Sequence, residues 1–341
     1  VAYATEEILL VLAPAGVAAL MYSTPVAAVI VGLLILVVVS YRQVIPAYPN
    51  GGGSYTVAHD NLGVGPGLVA GAALLVDYVL TVAVSVAAGV AAVTSAVPAL
   101  YQHRVALAAV CVSAVALANM RGVRESAAML AIPTYGFILS LLMLLAAGFY
   151  QWATGTLQHA APGVALAAAS TAPALTAFLI LRAFSSGCTA MTGIEAIANG
   201  VPSFKQPAAK NAVATLTTLG LTLAILFLGT TALAHAMGVV PAPGQTVVSQ
   251  MGRLVLGVGP AYYLVQTFTA VILLLAANTC FAGFPSLASV LAEDRFLPRQ
   301  LAHRGKARVE KRAGEKPLGL VKANLAAQPE RERLAGLAAA R

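Results

Sequence analysis

Apolar residues fill long stretches of this chain with few interruptions, and the polar ones gather at the stretch ends or along narrow stripes. A membrane-spanning helix needs about 20 mainly apolar residues. Segments 25–40 (with its left flank), 67–100, 105–119, 127–150, 173–199, 212–237 and 261–292 meet or approach that length. Segment 4–22 is also apolar except for Thr5, Glu6 and Glu7, and span 25–40 stops at Tyr41-Arg42. The period-two alternation of an outer-membrane barrel is absent. The pattern predicts an all-α polytopic membrane protein of about eight membrane segments.

Two segments break the apolar texture inside a span. In 67–100, Asp77, Thr81 and Ser85 are spaced by four, so a helix places them on one stripe with Tyr78 beside it. A carboxylate at that depth costs several kcal/mol unless it faces a partner or a water-filled cavity, so it marks a solute or proton pathway. In 173–199 the centre reads Arg182-Ala183-Phe184-Ser185-Ser186-Gly187-Cys188-Thr189-Ala190-Met191-Thr192-Gly193-Ile194-Glu195. Two glycines, four hydroxyl residues, an Arg and a Glu make a poor continuous helix. An interruption there would expose backbone polar groups, which is tolerated only where the chain is buried or lines a cavity. Carriers build midplane sites in this way. Asn278 and Thr279 read as interhelical hydrogen-bonding residues, Arg182 as structural, and Tyr48-Pro49-Asn50-Gly51-Gly52-Gly53-Ser54-Tyr55 as a loop. The glycine triplet lacks the Lys-Ser/Thr of a phosphate loop.

Composition agrees with the pattern: 341 residues carry 9% charged and 59% apolar side chains at a mean hydropathy of +0.85, against roughly 25% charged in soluble domains. The net charge of +8 is concentrated from position 304 onward, where ten basic and four acidic residues lie. Residues 1–304 therefore form the membrane domain, and 305–341 a basic polar tail, either a cytoplasmic extension or sequence foreign to the rest. A nucleic-acid partner is the wrong reading for the body; the lipid bilayer is its environment. Cys111, Cys188 and Cys280 read as small packing residues, and the five scattered histidines form no ligand cluster. No cofactor and no enzymatic machinery is indicated. Alternate connections hold Arg42, then Arg121 and Arg124, then Lys205 and Lys210, then Arg295, Arg299 and Arg304; the opposite set holds only Arg104 and Arg253. The first set is expected to face the cytoplasm of a cell-membrane protein. The chain begins at Val1 and reads as a fragment or trimmed product. Glu6 and Glu7 are then either first-turn acids or, if the helix starts upstream, residues facing the bundle.

The strings Val1-Ala2-Tyr3-Ala4-Thr5-Glu6-Glu7, Tyr48-Pro49-Asn50-Gly51-Gly52-Gly53-Ser54-Tyr55 and Asp77-Tyr78, with Gly193-Ile194-Glu195 followed by Pro202 and Pro207, resemble the amino acid–polyamine–organocation superfamily. Within it they look most like the branch of bacterial proton-coupled potassium importers, over about residues 1–304. The resemblance implies two inverted repeats of five helices, incomplete here, with the first and sixth helices broken. It implies ion contacts from Tyr3, Asp77, Tyr78, Thr81, Ser85, Thr192 and Glu195, with potassium and a coupled proton as partners. Importers of this kind can also be homodimeric. An amino acid permease, and a transport-incompetent remnant or membrane interaction protein, are the other readings the residues leave open.

Overall fold

The computed structural model describes residues 1–49, 51, 53–120, 127–160 and 175–302. The expected turn at 121–125, most of the 151–173 connection and the 305–341 tail lie outside the described residues. The described residues belong to two compact units, Val1–Phe284 and a second beginning at Pro285.

The elements are α1 (Ala4–Leu12), α2 (Val17–Leu20), α3 (Ser23–Ala47), α4 (Ser54–Leu62), α5 (Val64–Ala96), α6 (Arg104–Met120), α7 (Ala127–Ala153), α8 (Ala177–Gly187), α9 (Ile194–Asn199), α10 (Ala208–Ala236), α11 (Val247–Leu256) and α12 (Pro260–Glu293). Seven stretches among the described residues are long and apolar enough to cross a membrane: 18–47, 64–96, 98–120, 130–153, 177–199, 208–236 and 260–293. The protein is therefore an all-α, multi-pass membrane protein. Their outward faces stay apolar, with Leu36, Val69, Val110, Leu139 and Leu221 all exposed. In a bilayer those faces meet lipid rather than water.

Two boundaries differ from the sequence reading. Segment 4–22 is not one helix: Pro14 lies in a tight turn at Ala13–Ala15, and Gly16 takes φ 91°, which separates α1 from α2. Span 25–40 does not stop at Tyr41-Arg42 but runs on to Ala47. The charge on Arg42 costs little at a helix end, where its long side chain reaches the interface.

In the first unit the core is built by close helix approach. Gly220 on α10 faces Val38 on α3, where a Cβ would come within 2.6 Å of Val38 Cγ2. Gly187 on α8 lies equally tight against Ile8 and Ile30. Small residues permit such approach where lipid gives helices no hydrophobic reason to associate. Ile8, Leu12, Ile30, Leu141, Leu144, Leu226, Phe227 and Leu233 are fully or almost fully buried around this contact. A buried hydroxyl pair, Thr5 to Thr231 at 2.8 Å, ties α1 to α10.

Helix α11 was not expected from the apolar pattern, because ten residues cannot span a bilayer. Thr246 caps it, its Oγ1 accepting from the Ser249 amide at 3.2 Å. Arg253, expected in a loose connection, instead donates to the carbonyl of Ser95 and to Tyr262 Oη. Tyr262 also pairs with Ser249 at 2.7 Å and donates to the Ser95 carbonyl at 3.2 Å. The last turn of α5, the face of α11 and the first turn of α12 are thus locked together. Tyr262→Phe should lower stability by about 1–2 kcal/mol, since it strands a buried hydroxyl on Ser249. Thermal unfolding of the detergent-solubilised protein reads this, and an unchanged transition would show that the network holds nothing.

In the second unit, α12 continues through Pro285 to Glu293, and a further short turn covers Arg299–Ala302.

Candidate functional site

The span 177–199 is interrupted, as its composition suggests. Helix α8 ends at Gly187, a tight turn covers Cys188–Met191, and the chain leaves helical geometry at Thr192 (ψ 133°) and Gly193 (φ 95°) before α9. Side chains other than glycine rarely accept the backbone shape at 193. The Thr189 hydroxyl donates to the Ser186 carbonyl at 2.9 Å and satisfies one acceptor of the broken end.

This break opens onto a cavity of about 330 Å³ between α5, the α8–α9 segment and α12. Asp77, Tyr78 and Thr81 line it from α5, Thr192 and Glu195 from the break, and Thr279, Cys280 and Gly283 from α12. Five of the seven residues expected at the site therefore surround one space. The Thr81 hydroxyl lies beside the Asp77 carboxylate, one turn along α5. Tyr78 packs against α12 at Gly283, where an added Cβ would come within 3.0 Å of its ring.

The other two residues stand apart. Tyr3 lines a second cavity of about 460 Å³, together with Glu6, Glu7, Thr246 and Thr269. Ser85 is buried, lines neither space, and lies beside the Tyr3 hydroxyl. The two cavities are stacked along the antiparallel pair α5 and α12. The first is lined by residues 74–81 of α5 and 276–283 of α12, the second by residues 83–92 and by Thr269 and Leu273. The Asp77–Thr81–Ser85 stripe leads from the first to the Tyr3 wall of the second.

Glu195 lines the first cavity, but its oxygens are already engaged. Oε1 accepts from the Ser54 amide at 3.1 Å and from the Asn199 amide group at 3.2 Å, and Oε2 accepts from the Ser54 hydroxyl at 3.0 Å. Ser54 is in turn paired with Tyr41 Oη at 2.8 Å. Glu195 therefore clasps the first turn of α4, where free amides favour a carboxylate. The glycines before α4 make this fit possible. A Cβ on Gly53 would lie 2.7 Å from Glu195 Oε1 and overlap Asn199, and one on Gly51 would lie 3.0 Å from the Asn199 carbonyl oxygen.

Thr279 departs from the sequence reading. Asn278 does accept a hydrogen bond across helices, from Asn119 at 2.5 Å. Thr279 instead donates to the carbonyl of Ala276 in its own helix and lines the cavity. Its hydroxyl replaces an interhelical bond with a local one, as Thr in apolar helices often does. Cys111 packs among Val86, Val90 and Ala277, Cys188 packs against the main core and Cys280 is buried, as small packing residues do, and the last two also line the cavity. The signal available in the sequence was the run of small residues at Ala276, Thr279, Cys280 and Gly283, which share one helix face.

The first cavity offers carboxylate and hydroxyl oxygens, and its lining contains no Lys, Arg or His. Hard cations prefer such oxygen donors. Two carboxylates facing one space with no basic residue in its lining favour a bound cation or proton over an anion.

A family model described as amino acid permease matches residues 3–311. The potassium transporter KimA of Bacillus subtilis (strain 168) is 49% identical over 305 residues, which cover 89% of this chain and 50% of that protein. The chain thus spans half the length of that relative.

Proposed function

The chain belongs to the amino acid permease family, and on that premise we propose that it forms the membrane core of a secondary carrier importing potassium with a coupled proton. The single observation that carries the reading is the cavity in which Asp77 and Glu195 face hydroxyls from three elements with no basic residue in the lining. The 49% identity to a potassium transporter supports the choice of ion. In this reading Asp77, Thr81 and Thr192 replace water around potassium, with Tyr78 closing one side. The Tyr3–Ser85 pair stands between the two cavities as the partition an ion must pass. Glu195 exchanges its hold on α4 for the cavity as it gains or loses a proton. The end of the bundle bearing α4, Lys205 and Lys210 faces the cytoplasm, and α11 faces outward. Alternating access then requires the Glu195–Ser54 clasp and the Tyr3 partition to open in turn.

Growth rescue tests the substrate. Expression in a bacterium lacking its own potassium uptake systems should restore growth at limiting potassium, and labelled amino acids should not accumulate in the same cells. Amino acid accumulation without rescue would place the protein among the amino acid carriers instead. The break at Thr192–Gly193 would then supply amides for the substrate carboxylate.

A further inference from the structure

The second cavity has no role in the site assembled around Asp77, yet its wall is unusual. Glu6 and Glu7 enter it from α1, Thr246 from the start of α11, and Thr269 from α12, while most of the α5 wall is alanine. No Lys, Arg or His lines it. Arg253, on neighbouring α11, is held by the Ser95 carbonyl and Tyr262. Glu6 is partly spent, accepting from the Val247 amide at the first turn of α11 at 3.3 Å. Glu7 is half-buried, and its carboxylate has no hydrogen bond or ion pair among the described residues. Two carboxylates in an alanine-lined space are costly unless something positive shares it.

A separate observation lies next to it. Gln266 on α12 is 2% exposed, and neither its Oε1 nor its Nε2 has a partner among the described residues. It does not itself line the cavity but stands one turn along α12 from Thr269, which does. A buried amide without a partner is costly, so such groups mark bound water or ligand. At about 460 Å³ the cavity holds on the order of ten waters, enough for an ion that keeps part of its hydration shell.

We propose that this cavity is a second, weaker binding site for a monovalent cation of potassium size, in which Glu7 and Thr269 supply direct oxygens. Glu6 and Gln266 act there through water. The ion rests in this site before passing the Tyr3–Ser85 partition to the Asp77 cavity. The inference builds on the cation-carrier reading and adds an outer capture station to it.

Two measurements separate the possibilities. In proteoliposomes Glu7→Gln should raise the KM for rubidium about tenfold with kcat changed less than twofold, and Glu7→Asp should bring KM back to within about threefold of wild type. Thr269→Val should shift KM in the same direction. Equilibrium dialysis with thallium(I) should find one weak site remaining in Asp77→Asn, lost on adding Glu7→Gln. An unchanged KM in Glu7→Gln, or an Asp77→Asn protein that binds no thallium(I), overturns the second site. If the wild type carries no rubidium while thallium(I) binding still depends on Glu7, the importer reading fails and the site stands.

Discussion

Asp77→Asn is expected to cut potassium uptake by at least about 100-fold while the protein still folds and reaches the membrane. Asn matches Asp in shape and can still accept a hydrogen bond from the neighbouring Thr81 hydroxyl. The stripe and its packing are therefore kept, and only the charge is lost. A unit charge about 4 Å from an ion is worth about 4 kcal/mol at an effective dielectric of about 20, and every 1.4 kcal/mol is about tenfold. Rubidium flux into vesicles carrying equal amounts of each protein reads the effect. Wild-type flux in the variant would remove Asp77 from ion handling and leave it as a residue that only ties helices together.

The second large effect falls outside the cavity, at Gly53. Adding one methyl there forces an atom to within 2.7 Å of Glu195 Oε1 and into Asn199. Neither neighbour can retreat cheaply. Glu195 is fixed by both donors of Ser54, and Asn199 is bonded to Glu195. The first turn of α4 must move away instead, opening the end of the bundle on which Glu195 closes. Uptake in Gly53→Ala is expected to fall more than tenfold, because a carrier held open at one end cannot complete its cycle. The same opening should speed modification of Cys188, which faces the cavity just before the break. Mass spectrometry after brief treatment with a small water-soluble alkylating reagent measures it. Full flux with unaltered Cys188 labelling would show that the clasp is not a gate.

How much of this was legible in advance depends on whether a feature is local. The Asp77–Thr81–Ser85 stripe could be read because four-residue spacing on a helix is a property of the sequence itself. The interruption of span 177–199 was legible for a similar reason: glycine and hydroxyl residues weaken a helix wherever they cluster. The partners of Glu195 were not legible. Ser54 lies 141 positions away, and nothing in Gly53-Ser54 names the carboxylate it will hold. The α12 wall is not legible locally, because Ala276, Cys280 and Gly283 look like ordinary packing residues, and only the neighbouring helix turns their face into a cavity wall. Tyr3 was grouped with Asp77 through a family pattern. The geometry lines the other cavity with it and links it to the stripe only at Ser85. Helix α11 was too short for the span criterion, although Thr246 at its start was a readable cap.

Anomalous diffraction from crystals grown in rubidium addresses the central claim most directly. The expected result is a rubidium peak in the cavity beside α9, within coordinating distance of the Asp77 carboxylate and the Thr81 hydroxyl, and displaced by potassium. An ordered Asp77 carboxylate with rubidium absent from that cavity at saturating concentration would contradict it.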